Sequence, residues 1–280
     1  MHRSTLKSSV FFEGIGVHSG NHCRVSVSPA KKGNGIVFSI GKDSIRASFD
    51  RISDTIMCTK LSSVNGSVVS TVEHLAAALY GLEITDVKIK VEGGEVPILD
   101  GSAIQFVEAF TSAGIEKFHD IIQTLRIKKT IKIQDEERWT SLSPADSFSI
   151  NIECDFMAKG LKTDPFSFDF AKDDFTEEIA PARTFGFFSD IEFLRKNNLA
   201  AGASLDNTIV FDNKGLPINK EGLRLSNEPL RHKVLDIIGD LSMTGSRIIA
   251  RFDSFCPSHR MNNMILKALF ADKDSFELVD

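Results

Sequence analysis

The sequence predicts an α+β fold: two similar domains, each a mainly antiparallel sheet with two helices, packed so that the helices lie between the two sheets. Three observations predict it. Alternating short strands (Cys23 to Val27, Gly35 to Ser39, Val87 to Val91) surround helices at 71–80 and about 103–113 in the first half. A polar stretch, Lys117 to Asp120, then interrupts the pattern, which restarts with strands at Thr124 to Ile133 and Ser147 to Cys154. Helices near Phe188 to Lys196, Pro229 to Met243 and Met261 to Ala271 follow. The two halves thus have similar element content and point to related domains at 1–120 and 121–280, without a residue-level repeat that marks duplication.

The helix at 71–80 is stopped by Gly81, and Val72, Leu75, Ala76 and Leu79 form its apolar stripe. Glu73 and His74 project away from that stripe beside Ala77 and Ala78, whose small side chains let another element approach. Ser70-x-x-Glu73 also fits a capping box, which accounts for Glu73 but not for His74. The most informative stretch is Asn227-Glu-Pro-Leu-Arg-His-Lys-Val-Leu-Asp-Ile-Ile-Gly-Asp240. Helical spacing puts His232, Asp236 and Asp240 on one stripe and Val234, Ile237, Ile238 and Leu241 on the other, so an imidazole and a carboxylate can converge on one metal ion. Taken alone, a His and an Asp at this spacing are more often a solvated pair worth a few tenths of a kcal/mol. The second cluster at 73–74 shifts that balance.

The 280 residues, 42% of them hydrophobic, can supply two ordinary cores, and a soluble globular protein is expected. A net charge of -5 argues against a nucleic-acid partner, because phosphate recognition needs a concentrated basic surface. Cys23, Cys58, Cys154 and Cys256 are widely separated, with no C-x-x-C pair, so neither a zinc ribbon nor a disulfide framework is signalled and reduced thiols in a cytoplasm are expected. The N-terminus lacks the apolar core of a signal peptide, and no apolar run is long enough to span a bilayer. The 22 Phe against one Trp and one Tyr are concentrated in the second half (Phe166, Phe168, Phe170, Phe175, Phe185, Phe187, Phe188, Phe193). Most such rings fill cores, yet rings this dense can also line a channel for a hydrocarbon chain.

Placing His74 in one half and His232, Asp236 and His259 in the other predicts a site in the cleft between the domains. At this point Thr-Val-Glu-His (71–74), Glu-Val-Pro-Ile-Leu-Asp-Gly-Ser-Ala (95–103), Ala-Arg-Thr-Phe-Gly-Phe (182–187), Ser-Leu-Asp-Asn (204–207), the 227–241 stretch, and His259 with Asn262-Asn263 stand together. Their order and spacing resemble the UDP-3-O-acyl-N-acetylglucosamine deacetylases, the zinc-dependent enzymes that commit Gram-negative bacteria to lipid A synthesis. The resemblance covers essentially the whole chain, including Gly-Ile-Gly-Val-His-Ser-Gly at 14–20.

The resemblance implies one Zn²⁺ per chain held by His74, His232 and Asp236, with a fourth position left for water, as in catalytic zinc centres. It implies Glu73 as general base and His259 as cation or general acid, oriented and charge-balanced by Asp240. Thr184 is expected to donate to the oxyanion and Lys233 to supply nearby positive charge. An insert at about 185–210 is expected to form the passage for the 3-O-acyl chain, lined by Phe185, Phe188, Ile191, Ala200, Leu205 and Val210. The implied reaction removes the N-acetyl group as acetate from a small UDP-linked substrate, in the cytoplasm, by a monomer. The alternative carried forward is a non-catalytic UDP-sugar or acyl-chain binding protein of the same fold.

Two departures stand out. Relatives commonly have Gly-His at the last catalytic histidine, with a Lys shortly before; here Ser258 precedes His259 in a run Phe255-Cys-Pro-Ser. That leaves a basic contact to the diphosphate to another residue, such as Arg260 or Lys267. Asp54-Thr-Ile-Met-Cys58 also lacks the Arg that often follows Asp-Thr.

Overall fold

The computed structural model describes residues 1–197 and 199–280 and is mixed α+β with mostly antiparallel sheets. Its first main sheet has five strands in the order Val10–Ile15, His22–Pro29, Val87–Glu92, Ile36–Ile40, Asp43–Arg46. All its pairings are antiparallel except that of Ile36–Ile40 with Val87–Glu92. Strand Val87–Glu92 shows why: Val87, Ile89 and Val91 are buried while Lys88, Lys90 and Glu92 face water, the two-residue period of a half-buried strand. The second main sheet has seven strands around the long Arg247–Phe255, which pairs with Thr124–Ile127, Arg138–Ser143 and Phe148–Glu153. The first sheet uses only residues 10–92 and the second only residues 124–279. The expected strand from Thr124 to Ile133 is two strands, Thr124–Ile127 and Ile131–Asp135, because the amides of Lys128 and Lys129 turn aside to the carbonyl of Ser275.

Among the described residues there are six α-helices: α1 (Glu73–Gly81), α2 (Ile104–Ala113), α3 (Phe175–Glu178), α4 (Ile191–Lys196), α5 (Glu228–Leu241) and α6 (His259–Ala271). The short α3 was not expected, though its start is legible: the side chain of Asp174 accepts from the amides of Thr176 and Glu177. The expected helix from Phe188 opens as a 3-10 turn, Phe188–Asp190, before α4. Helix α6 begins two residues earlier than expected, because Ser258 caps it by accepting from the Met261 amide, and this puts His259 in its first turn.

The helices pack between the sheets: α2 lies on strand Val10–Ile15, α6 on Ile131–Asp135 and Arg138–Ser143, and α5 on Phe148–Glu153, while α1 and α5 face each other. One continuous core joins them, from Val25, Ile89 and Phe106 on one side to Ile150, Phe252 and Leu266 on the other. The closest approach is at Gly239 of α5. A Cβ there would sit 2.1 Å from the carbonyl oxygen of Glu73 in α1, far inside van der Waals contact. Ala77 and Ala78 on α1 are fully buried, as their size suggested.

The aromatic rings divide by location. Phe168, Phe170 and Phe175 join Tyr80 and Phe148 in the core, where edge and stacked contacts hold them, and Phe166 packs against the same core. Phe185 and Phe187 form a second cluster with Phe156 and Phe211.

Gly239→Ala should push α1 and α5 apart and lower stability by about 1–3 kcal/mol, the usual cost of overpacking. Gly186→Ala, whose Cβ would meet nothing within 4 Å, should leave the thermal midpoint unchanged. Thermal denaturation followed by circular dichroism compares the two.

Candidate active site

Helix α5 starts sharply. Asn227 takes a left-handed conformation (φ 55°) and Pro229 lies in the first turn, where its missing amide costs nothing. From there nearly every side chain of α5 is buried, including His232, Asp236 and Asp240. The chemical stripe does not face solvent: it faces α1, whose Glu73 and His74 are also buried. The capping-box reading of Glu73 fails, since Val72 is the N-cap and no side chain caps the helix. Ser70 is held instead in a bridge to Glu95, and the Glu73 carboxylate accepts from the amide of Thr59 at 3.1 Å.

His74, His232 and Asp236 converge, with one donor atom from each lying within 4.8 Å of the others. The two imidazole rings are 4.9 Å apart between centroids and nearly perpendicular. His232 Nδ1 donates to the carbonyl of Ala182 at 3.0 Å, and burial drives the ring's pKa down to about 3, so it is neutral with the Nε2 lone pair exposed to the cluster. That lone pair is 3.4 Å from Asp236 Oδ1. Burial opposes the charge on Asp236, but Lys233 and then the histidines hold its pKa well below the usual carboxylate value. Two electron-rich acceptors buried face to face repel unless a cation lies between them. His74 presents its Nε2 to the same carboxylate oxygen, 3.7 Å from Asp236 Oδ1. The donor set therefore fits a divalent metal ion, and two nitrogens with one carboxylate oxygen suit a catalytic site.

A second group adjoins the first. His259 Nδ1 lies 2.8 Å from Asp240 Oδ2 and its Nε2 lies 3.8 Å from Glu73 Oε1. Burial disfavours the imidazolium, yet Asp240, Glu73 and Asp236 overcome it and raise the pKa to about 10. Asp240 accepts two further bonds, from Thr59 Oγ1 at 2.5 Å and Asn262 Nδ2 at 2.9 Å. Glu73 is pushed up to about 6, first by burial, with His259 and His74 pulling the other way. Lys233 Nζ donates to Asp236 Oδ2 at 3.0 Å and lies 5.8 Å from the centre of the Phe185 ring. Although burial works against its charge, Asp236 raises its pKa.

These groups line one cavity of about 530 Å³. Glu73, His74, Thr184, His232, Lys233, Asp236 and His259 contribute to its wall, and so do Phe185, Phe188, Ile191, Ala200, Leu205 and Val210. Every expected site residue except Asp240 is thus on the cavity surface, and Asp240 stands directly behind His259. Arg260 and Lys267 are not on that surface, and Arg260 pairs with Asp135 at 3.4 Å.

Sequence reasoning missed the groups that hold the motifs together. The Glu95 carboxylate accepts from the amides of His18 and Ser19 and from Thr71 Oγ1, tying the segments 14–20, 71–74 and 95–103. Gly101 takes a positive φ of 88°, and a Cβ there would lie 2.0 Å from the Asn207 carbonyl oxygen. Glu228 is wholly buried and binds the amide and guanidinium of Arg183, each at 3.0 Å, which fixes the segment leading from Ala182 to Thr184 against α5. His18 also lines the cavity. The quoted motifs flagged these stretches, but no spacing rule assigned Thr59 or Glu228.

Two histidines and a carboxylate within reach of one ion, beside a buried glutamate and a histidine with a raised pKa in one cavity of an α+β frame, fit the class of metal-dependent hydrolases. Residues 3–271 match the family model for UDP-3-O-acyl N-acetylglycosamine deacetylase, LpxC. The chain is 42% identical over 283 residues to the UDP-3-O-acyl-N-acetylglucosamine deacetylase of Colwellia psychrerythraea, covering 98% of this chain and 92% of that one. It is 40% identical over 285 residues to that of a Psychrobacter species, covering 100% and 95%. It is 40% identical over 281 residues to that of Actinobacillus succinogenes, covering 98% and 91%. The chain belongs to this family of deacetylases.

Glu228→Ala should leave the buried Arg183 amide and Nε without their acceptor, the guanidinium still meeting Glu221 and the Gly222 carbonyl, and destabilise the fold by about 1–3 kcal/mol, the cost of unmet buried donors. Chemical denaturation measures it, and a loss below about 1 kcal/mol, the level of a surface pair, would contradict the structural role given to this pair.

Proposed function

We propose that this chain is the metalloamidase that hydrolyses the 2-acetamido group of UDP-3-O-acyl-N-acetylglucosamine, releasing acetate and UDP-3-O-acyl-glucosamine in lipid A biosynthesis. The observation that carries the reading is the convergence of His74, His232 and Asp236 beside Glu73 and His259 in one cavity. A non-catalytic binding protein needs none of these groups, and their convergence supports hydrolysis over binding alone.

The donors His74, His232 and Asp236 would hold Zn²⁺, which when bound supplies Lewis-acid polarisation of the amide carbonyl and lowers the pKa of water at the site toward about 7. Glu73 takes the proton of the attacking water; its elevated pKa of about 6 leaves it ionised at neutral pH yet basic enough to accept. His259 stays protonated because Asp240 accepts from Nδ1, which leaves the Nε2 proton free for the developing oxyanion and then the departing amine. The Thr184 hydroxyl and the Lys233 ammonium, both on the cavity wall, add a donor and a positive charge where negative charge grows. Asp240, Thr59 and Asn262 form the chain of bonds that orients His259.

The acyl chain runs along Phe185, Phe188, Ile191, Ala200, Leu205 and Val210, in an insert at about 185–210. Each buried CH₂ contributes about 0.8 kcal/mol, so the passage dominates affinity while the polar end governs rate. Residues 1–120 form the first domain, with Glu73 and His74, and 121–280 the second, with His232, Asp236 and His259. Because all these groups come from one chain, a monomer suffices. The four unbridged cysteines fit a cytoplasmic setting, and no helix among the described residues is long and apolar enough to cross a membrane.

His232→Ala and Asp236→Ala should each abolish both zinc content and acetate release. Elemental analysis and an acetate-release assay on the UDP-sugar, before and after chelation and zinc replenishment, test this; full zinc occupancy with normal turnover in either variant contradicts the ligand assignment. The pH dependence has a definite sign. Activity should rise as Glu73 loses its proton and fall as His259 loses its own, with a bound cation drawing both limbs below the metal-free values of about 6 and about 10. Glu73→Gln should retain metal and lose most of the rate, and His259→Gln should remove the alkaline limb from whatever rate remains.

A further inference from the structure

We propose that Cys154 and Cys256 form a reversible intrachain disulfide, a thiol modification site at two strand ends that lead into the catalytic cavity. The two residues are 102 positions apart in sequence, yet their Sγ atoms lie 2.9 Å apart. Strands Phe148–Glu153 and Arg247–Phe255 run parallel with Glu153 opposite Phe255, so the cysteines occupy the next rung, where the Cys256 amide still donates to the Glu153 carbonyl at 2.8 Å. Neighbouring strands lie about 4.8 Å apart, within the roughly 4.4–6.8 Å between Cα atoms that a disulfide spans. Both side chains are half-buried, open to a small oxidant.

The two thiols are not equivalent. Cys256 Sγ accepts from the Cys154 thiol and from the Asp155 amide at 3.3 Å. These bonds stabilise the thiolate: the Cys154 contact first, against opposing burial, brings the Cys256 pKa down to about 6, whereas the Cys154 thiol is pushed up. Cys256 is the attacking sulfur and Cys154 the resolving one. With a hydroperoxide as oxidant, the Cys256 thiolate attacks the distal oxygen, the O–O bond breaks, and a sulfenic acid and one water (or alcohol) form after proton uptake. The Cys154 sulfur then displaces hydroxide from the sulfenyl sulfur, and its proton converts that hydroxide to water. Two thiols lose two electrons and two hydrogens; a dithiol reverses the step by exchange.

Each strand end reaches the site by a short path. Cys256 is followed by Pro257, the α6 cap Ser258, and His259. Cys154 is followed by Asp155 and Phe156, whose ring lies 5.6 Å from Phe185 and 5.7 Å from Phe187 on the cavity wall. Closing the 2.9 Å contact to an S–S bond of about 2.05 Å draws these ends together. A misplacement near 1 Å can cost about 10²-fold in rate, so a partial shift of His259 should slow turnover about three- to tenfold.

The full-length metal-loaded enzyme is equilibrated in glutathione buffers of increasing oxidised fraction, or treated with hydrogen peroxide. Non-reducing peptide mapping and turnover are then read on the same samples. The expected result is a 154–256 linked peptide lighter by two hydrogens, a fall in kcat reversed by dithiothreitol, and neither effect in Cys154→Ser or Cys256→Ser, with Cys23→Ser behaving as the parent. Absence of the link in the most oxidising buffer, or irreversible oxidation of Cys256 alone, overturns the site. A fully linked enzyme with unchanged kcat overturns its coupling to catalysis. The kcat arm rests on the deacetylase reading and the mapping arm does not, so a link that forms in a protein with no deacetylase activity counts against that reading only.

Discussion

The near-contact of α1 with α5 at Gly239 is the constraint on which the site depends. The Glu73 backbone lies where any side chain at 239 would stand, so the helices approach as closely as their backbones permit. That approach places two consecutive residues of α1, Glu73 and His74, against the His232, Asp236, Asp240 stripe of α5. Each helix supplies too few groups for a site; together they bring His74, His232 and Asp236 within reach of one ion, with His259 of α6 beside Glu73. The cost of removing these charges from water is borne by the packing around them, since Leu75, Leu79, Val234, Ile237, Ile238 and Leu241 are all fully buried.

Burial then gives the same residue type opposite characters. His232 donates to a backbone carbonyl and loses its charge, which leaves its other nitrogen able to accept. His259 meets three carboxylates and keeps its proton although burial opposes it. In a medium of low effective dielectric, small differences in partner produce large differences in protonation. The three carboxylates Glu73, Asp236 and Asp240 outnumber the cations Lys233 and His259 by one, which gives the pocket a net negative charge that favours a cation.

Much of the fold and site was legible because it rests on local periodicity. The i, i+4 spacing of His232 and Asp236 survives intact, and the alternation in Val87–Glu92 marks both the strand and its buried face. The failures share a cause: long-range contacts decided them. Ser70 fits a capping box by spacing, but a bridge to Glu95 takes the chain past that conformation, and Glu73 accepts from the Thr59 amide instead. Thr59 and Glu228 act on groups far along the chain or through a backbone amide, so nothing adjacent to them announces a role. The Phe-rich run could not be divided by composition, since rings at 168–175 and rings at 185–187 are equally apolar. Only tertiary placement separates core from cavity wall. Cys154 and Cys256 read as unrelated for the same reason.

The meeting of apolar wall and polar cluster carries a last consequence. Phe185 lies 6.4 Å from the His232 ring and under the Lys233 ammonium, so the hydrocarbon surface begins where the charged groups end. On the proposed reaction, an acyl chain filling that wall excludes water from one flank of the polar cluster. Each Coulombic and hydrogen-bonding term there then acts with less screening. Acyl binding and chemistry are therefore coupled through solvent rather than through any moving part: a substrate lacking its acyl chain loses affinity, and it also leaves the oxyanion to develop in a wetter and weaker field. Remote binding energy of this kind appears in the rate of the chemical step as well as in KM.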